Sequence, residues 1–154
     1  LYCIMIDYYI YTDGSCSNNG KENAKAGIGI YFKENDIRNV SKRITGKQTN
    51  NRAELLAIIV AFFIVEKDVD AGKTVVIVTD SQYAIRCFTT YGEKCYKQGW
   101  KKDIPNKELL QQGYDLFKDT PNISLMHIRS HTGAKDVHSI GNANADALAT
   151  KCLV

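Results

Sequence analysis

The sequence predicts an α/β fold: a five-stranded mixed sheet, three antiparallel strands followed by two parallel ones, flanked by helices. Three observations predict it. The chain opens with three β-rich runs joined by short loops, which favours an antiparallel meander. A long segment of helix formers then leads into residues 74–79 (TVVIVT), an almost continuous apolar run of the kind found in a strand covered on both faces. After that run, helical and strand patterns alternate, as in βαβ units. The expected order is β-β-β-α-β-α-α-β-α.

Residues 8–12 (YYIYT) are aromatic and β-branched and end at Asp13-Gly14-Ser15, a turn signal. Residues 26–32 (AGIGIYF) form a second strand, with glycines where another backbone or a ligand can come close. A weaker third strand is expected over 39–45. Residues 50–66 (NNRAELLAIIVAFFIVE) are rich in helix formers and apolar around most of the circumference after the first turn, the pattern of a helix packed deep against a sheet. A helical stretch follows the TVVIVT strand from Ser81. Residues 91–103 are polar, basic and aromatic. Residues 106–117 form another helix with Pro105 near its start. Residues 124–129 (SLMHIR) are the last strand and 142–152 (NANADALATKC) the closing helix. No repeat, low-complexity tract or linker divides the chain, so one domain over 1–154 is expected.

Composition narrows the function classes. The 154 residues suit one compact domain. With 44% hydrophobic and 24% charged residues, a disordered or fibrous protein is excluded. No apolar stretch reaches the roughly 20 residues a membrane helix needs. A net charge of +3 and a pI of about 8.5 permit a polyanionic partner. The five cysteines form no C-x-x-C pair, against a disulfide scaffold and a structural zinc site, and point to a reducing intracellular compartment. The apolar run at 1–6 lacks a basic flank and meets Asp7, which argues against a signal peptide.

The acidic residues carry the chemistry. Asp13 ends the first expected strand and Asp80 the fourth, each between a threonine and a small turn residue. If the 50–66 helix is a right-handed crossover, the fourth strand lies parallel to the first. Both carboxylates then open on one sheet edge, at a topological switch point where α/β sheets place ligands. Two aspartates meeting there repel unless a cation sits between them. Glu54 and Asp146, each placed in the first turn of its helix, can reach the same edge. Oxygen ligands without a cysteine or histidine cluster suit Mg²⁺ or Mn²⁺ better than Zn²⁺. Each acid also has a plain structural reading: Asp13 as a turn residue, Asp80 as a helix cap, Glu54 as the partner of Asn51 in a capping pair, Asp146 as a favourable charge at a helix start. Convergence of all four is harder to explain that way.

The ordered motifs Thr12-Asp13-Gly14-Ser15-Cys16, Ala26-Gly27-Ile28-Gly29, Thr49-Asn50-Asn51-Arg52-Ala53-Glu54-Leu55, Thr79-Asp80-Ser81-Gln82-Tyr83, Gly99-Trp100, His127-Ile128-Arg129-Ser130-His131, and Gly141-Asn142 with Ala145-Asp146-Ala147-Leu148-Ala149 resemble the series of type-1 ribonuclease H. The resemblance covers residue 8 to about 150. It implies the ribonuclease H-like fold and an endoribonuclease that hydrolyses the RNA strand of RNA–DNA hybrids with two divalent metals, Mg²⁺ or alternatively Mn²⁺. Carried over, Asp13, Glu54, Asp80 and Asp146 would hold the metals. His131 would be the loop histidine assisting proton transfer or product release. Asn19, Asn50 and Asn51 would contact the RNA strand. Lys47, Thr49 and Asn106 would form the DNA-phosphate pocket, and Tyr83, Tyr91 and Trp100 belong to the DNA channel and basic protrusion. The implied partner is a hybrid duplex rather than a membrane, the implied state a monomer, and cellular and viral origins are both open.

Several readings compete. His138 shares an expected loop, residues 131–141, with His131, and the residues alone do not choose between them. His127 alternates within a strand and reads as structural. Cys16 has no base beside it and reads as a packing residue. Arg86, Lys94, Lys97, Lys101 and Lys102 interleave with Tyr91, Tyr96 and Trp100, either as a nucleic-acid strip or as a solvated face with core-anchored aromatics. The chain departs from the family pattern at Tyr91 and Cys95, where tryptophans are frequent, at Ala143, where glutamate is frequent, and in the longer His131 loop. The alternatives at the level of function are a non-catalytic hybrid-binding module and another nuclease of the ribonuclease H-like superfamily.

Overall fold

The computed structural model describes residues 5–154. Residues 1–4, which include Cys3 and most of the apolar N-terminal run, lie outside them. The described elements are β1 (Tyr8–Ser17), β2 (Lys25–Tyr31), β3 (Val40–Arg43), α1 (Asn50–Asp70), β4 (Val75–Thr79), α2 (Gln82–Phe88), α3 (Thr90–Lys97), α4 (Lys107–Lys118), β5 (Ile123–His127) and α5 (Val137–Lys151). The sheet order is β3-β2-β1-β4-β5. β1–β2 and β2–β3 pair antiparallel, and β1–β4 and β4–β5 pair parallel. This is the mixed five-stranded sheet expected from the sequence.

Strand alternation sorts the core into two layers. Ile10, Ile28, Ile30, Val75 and Ile77 face α1, α2 and α4 and join the main core with Leu55, Ile58, Phe62, Phe88 and Leu110. Tyr11, Val76 and Val78 face the other way and meet Ala145 of α5. α1 buries residues on nearly all its circumference, from Ala53 to Val69, because β1 and β2 cover one side and α2 and α4 flank it. Thr49 starts it, its Oγ1 accepting from the Arg52 N–H at 3.1 Å. The helix runs four residues beyond the expected 66. Lys67 and Asp68 hide the signal, yet Val69 returns to the buried face before Gly72, at φ +97°, ends the turn.

Several boundaries differ, those of β1 and the closing helix in ways that matter for the site. Asp13-Gly14-Ser15 is not a turn: β1 continues to Ser17 because β2 pairs with it from Tyr11 to Ser17. The parallel pairing with β4 stops at Thr12–Thr79, so Asp13 is mid-strand at the point where one neighbour ends. The closing helix begins at Val137, not 142. Asp136 caps it, its Oδ1 accepting from the Ser139 N–H at 3.0 Å, so Asp146 lies well inside the helix rather than in its first turn. Glu54 likewise stands past the first turn of α1, since Thr49 is the cap and no acid occupies that turn. Residues 90–97 form α3, a helix that the basic-aromatic pattern did not reveal, and β3 shortens to four residues.

Candidate active site

Three of the four singled-out acids meet where β1 and β4 part. Asp13, Glu54 and Asp80 each offer a carboxylate oxygen within 4.8 Å of the others. Asp13 is set by strand pairing and Asp80 follows β4 directly. Glu54 arrives because Gly14 lets α1 lie against β1: a Cβ at position 14 would collide with the backbone of Ala53 and Glu54. The Gly14 N–H also donates to Glu54 Oε1 at 2.9 Å. None of the three acts as a cap: Ser81, not Asp80, caps α2, its Oγ accepting from the Ala84 N–H at 3.0 Å, and Asn51 forms no capping pair with Glu54.

Asp146 stands beside this trio. Gly29, paired with Asp13 across the sheet, has no Cβ to collide with the Ala145 carbonyl, so α5 crosses close to the strands and brings Asp146 near Asp13. Asp146 lines a cleft of about 280 Å³ with Arg129, His131, Ser139 and Asn142. His131 is exposed, in the left-handed region at φ +53°, on the loop between β5 and α5.

The electrostatics of the cluster are unfavourable without a counter-charge. Asp13 and Glu54 are only 4% and 5% exposed. Desolvation, then the Glu54 charge, push the Asp13 carboxyl far above the usual carboxylate range. Desolvation raises Glu54 to about 7, against the adjoining Asp13 carboxyl and the Gly14 N–H, which hold it down. Desolvation also raises Asp80. Glu54 Oε2 and Asn142 Oδ1 are buried without a hydrogen-bond partner, a costly state for polar atoms unless a ligand completes them. An all-oxygen donor set with an unpartnered carboxylate oxygen fits a hard divalent cation.

The other singled-out residues divide into pairs and outliers. Asn19 Oδ1 accepts from the Asn50 backbone N–H at 3.1 Å, so the β1–β2 turn is pinned to the start of α1. Asn51 and Lys47 are exposed beside them, while Thr49 is occupied by its capping role. Asn106, at φ +59°, donates from its side-chain amide to the Tyr83 hydroxyl at 3.2 Å. Tyr91 and Trp100 are partly buried and pack on the core, Trp100 edge-on to Tyr114, whereas Lys94, Lys97, Lys101 and Lys102 are exposed. In the strip Tyr91 and Trp100 are therefore core-anchored, whereas Tyr96 and the lysines are exposed. Cys16 Sγ lies 3.7 Å from the Gln48 carbonyl, a packing and backbone contact. His127 is exposed on edge strand β5. His138 is not in the loop but in α5. Asn142, Arg129 and Ser139 received no role from the sequence, although Asn142 and Arg129 fall within quoted motifs. A buried asparagine with an unpartnered oxygen is visible only in three dimensions.

A sheet of this order with acids at the β1/β4 divergence defines the ribonuclease H-like class. The ribonuclease H family model matches residues 6–153, and the chain belongs to that family. Ribonuclease H1 of Mus musculus is 38% identical over 144 residues, covering 91% of this chain and 48% of the relative. The chain thus spans about half the length of the first curated relatives it matches. The solution structure of the PFV RNase H domain superposes with a TM-score of 0.71 at 25% identity, covering 93% of this chain and 92% of the other. LC11-RNase H1, solved in complex with an RNA/DNA hybrid, superposes with a TM-score of 0.61 at 25% identity, covering 94% and 95%. Among the described residues no helix is long and apolar enough to cross a membrane.

Proposed function

We propose that this chain is a metal-dependent endoribonuclease that hydrolyses the RNA strand of RNA–DNA hybrids by a two-metal mechanism, using Mg²⁺ and accepting Mn²⁺. The observation that carries this reading is the convergence of Asp13, Glu54 and Asp80 within 4.8 Å, with Glu54 Oε2 buried and unpartnered. Asp146, at the edge of the trio, completes the ligand set. A bound pair of such cations would activate the attacking water and offset charge on the leaving oxygen.

The chain's own residues supply the rest. The acids are held by strand pairing and by the Gly14–Glu54 bond, so little reorganisation accompanies ligand binding. His131, at the rim of the cleft with Asp146, would take up and release a proton on the product side. Asn19, Asn50 and Asn51 form a polar corner suited to the 2′-hydroxyls of an RNA strand, which is how a protein tells RNA from DNA. Lys47, Thr49 and Asn106 would hold a DNA phosphate, and Tyr83, Tyr91, Trp100 and the lysines of α3 and the following loop would follow the DNA backbone. Contacts of this kind set register without reading bases, so sequence preference should be slight. The catalytic unit is one domain over 1–154, acting as a monomer in a reducing compartment; the four described cysteines are free thiols.

The test is incubation with a labelled RNA–DNA hybrid beside single-stranded RNA, duplex RNA and duplex DNA, with Mg²⁺, with Mn²⁺ and with EDTA. Metal-dependent cleavage of the RNA strand of the hybrid alone is expected, leaving 5′-phosphate ends. A shift of the hybrid in a gel without cleavage in either metal would make the chain a binding module. Equal cutting of duplex DNA would make it another nuclease of the superfamily.

A further inference from the structure

His131 and His138, equivalent candidates in the sequence, have opposite surroundings. His131 is exposed on the loop. His138 is half-buried in the first turn of α5, and its Nδ1 pairs with the Tyr11 hydroxyl at 2.9 Å. Its ring stands edge-on to Tyr9, with centroids 4.5 Å apart. Tyr9 and Tyr11 come from one face of β1, as alternate strand residues do. Gly141 makes the approach possible: a Cβ there would press into the Tyr11 ring. Asp136 closes the same turn a second way, its Oδ2 accepting from the Ser139 hydroxyl at 2.8 Å.

The loop that carries His131 has two anchors. At its start the Ile128 N–H donates to the Thr79 carbonyl at 3.0 Å. At its end stands the capped and clamped turn of α5. Between them the Ala134 N–H donates to Thr132 Oγ1, a local bond that ties the loop to nothing else. The direction in which the loop presents His131 therefore depends on both anchors, and the second lies where α5 is fastened to β1.

We infer that the Tyr11–His138 contact is a positioning clamp for His131, fixing the α5 end of the loop so that His131 faces the cleft. Tyr11 and His138 are positioning residues and act through His131; the inference rests on the role of His131 proposed above. A clamp of this kind changes how often His131 is correctly placed, so it changes kcat and leaves KM alone.

The experiment measures kcat and KM for hybrid cleavage, with thermal midpoints, in Tyr11→Phe, His138→Ala and His138→Asn, and repeats Tyr11→Phe and His138→Ala with His131→Ala. Tyr11→Phe keeps the ring on Gly141 and removes only the hydroxyl. We expect Tyr11→Phe and His138→Ala to lower kcat about fivefold at unchanged KM, the scale of one neutral hydrogen bond. His138→Asn, whose amide can still pair with Tyr11, should recover most of it. With His131→Ala present, Tyr11→Phe should cost nothing more. An equal loss in that background overturns the clamp, as does full kcat in Tyr11→Phe and His138→Ala. If His131→Ala itself cleaves normally while Asp13→Asn is dead, the role of His131 fails and the clamp with it, and the acid cluster stands. If His131→Ala is impaired and Tyr11→Phe is not, only the clamp fails.

Discussion

The acid cluster and the His131 loop are neighbours built on opposite principles. Asp13 sits on β1, Glu54 on α1 and Asp80 directly after β4, on backbones that leave little slack: a glycine at 14 lets α1 lie against β1, and the Gly14 N–H fixes one Glu54 oxygen. The segment between Ile128 and Asp136 is largely exposed and is held chiefly at its ends. The difference teaches a division of labour. Groups that must oppose their own repulsion to gather charge need a rigid frame, because a loose one would let them drift apart. A group that meets product and solvent needs reach, and a tethered loop gives it.

The largest effect is expected at the acids. Asp13→Asn or Asp80→Asn removes a charge that the rigid frame gathers, and hybrid cleavage should fall by roughly 10³-fold or more, as for removal of a group acting within a catalytic unit. Initial rates measured on protein with an intact melting transition check this. Asp13→Asn should at the same time raise the thermal midpoint of the metal-free protein, since it removes a carboxyl whose ionisation is penalised by burial and by the Glu54 charge. Wild-type rates in either variant would remove the cluster from the chemistry.

The loop should show the smaller and more selective effect. His131→Ala should lower kcat about 10²-fold, the low end for a proton-transfer group, with KM and thermal midpoint nearly unchanged because the side chain is exposed. Steady-state kinetics with saturating hybrid distinguish this from loss of substrate affinity.

What the sequence disclosed follows the same line. The sheet was legible because apolar periodicity and a β-β-β-α-β order leave few topologies. The meeting of Asp13 with Asp80 was legible because parallel strands on either side of a crossover end at one edge. The close approach at Gly29 was legible from the glycines themselves. Local signals misled where tertiary pairing overrode them: Asp13-Gly14-Ser15 has turn chemistry, yet β2 extends β1 straight through it. Gly141-Asn142 looks like a helix start, yet Gly141 is interior to α5 because it accommodates a tyrosine ring. The helix instead starts at Asp136, whose side chain caps it through the Ser139 N–H. The half-buried state of His138 and the unpartnered oxygen of Asn142 depend on residues distant in sequence and left no trace in it.

Protonation should sharpen the picture of a strained frame. In the metal-free protein, folding raises the pKa of Asp13, of Glu54 to about 7, and of Asp80, chiefly by desolvation. Above the ordinary carboxylate range the folded state thus holds more protons than the unfolded one, and stability falls as pH rises. The contribution is fully present below the unfolded pKa values, and the share due to Glu54 is lost as pH passes about 7. Thermal midpoints in EDTA should therefore decline from pH 5 to pH 8, less steeply in Asp13→Asn. Mg²⁺ should raise the midpoint more at pH 8 than at pH 5, where protons compete for the same oxygens.

The smallest effect belongs to the far end of the molecule, where neither rigidity nor reach is demanded. Lys101 and Lys102 are exposed beyond Trp100, whose ring is the anchored part of the strip. If they follow a nucleic-acid backbone, the double alanine variant should weaken hybrid binding uniformly across sequences and flatten the dependence of log Kd on log salt by up to about 2, one unit per lost phosphate contact. The turnover number at saturating hybrid should not change, because no proton or metal ligand is touched. Titrations of catalytically silent Asp13→Asn protein at several salt concentrations isolate this binding term. An unchanged slope would assign these lysines to the solvated face alone and leave the DNA strand to Asn106, Thr49 and Lys47.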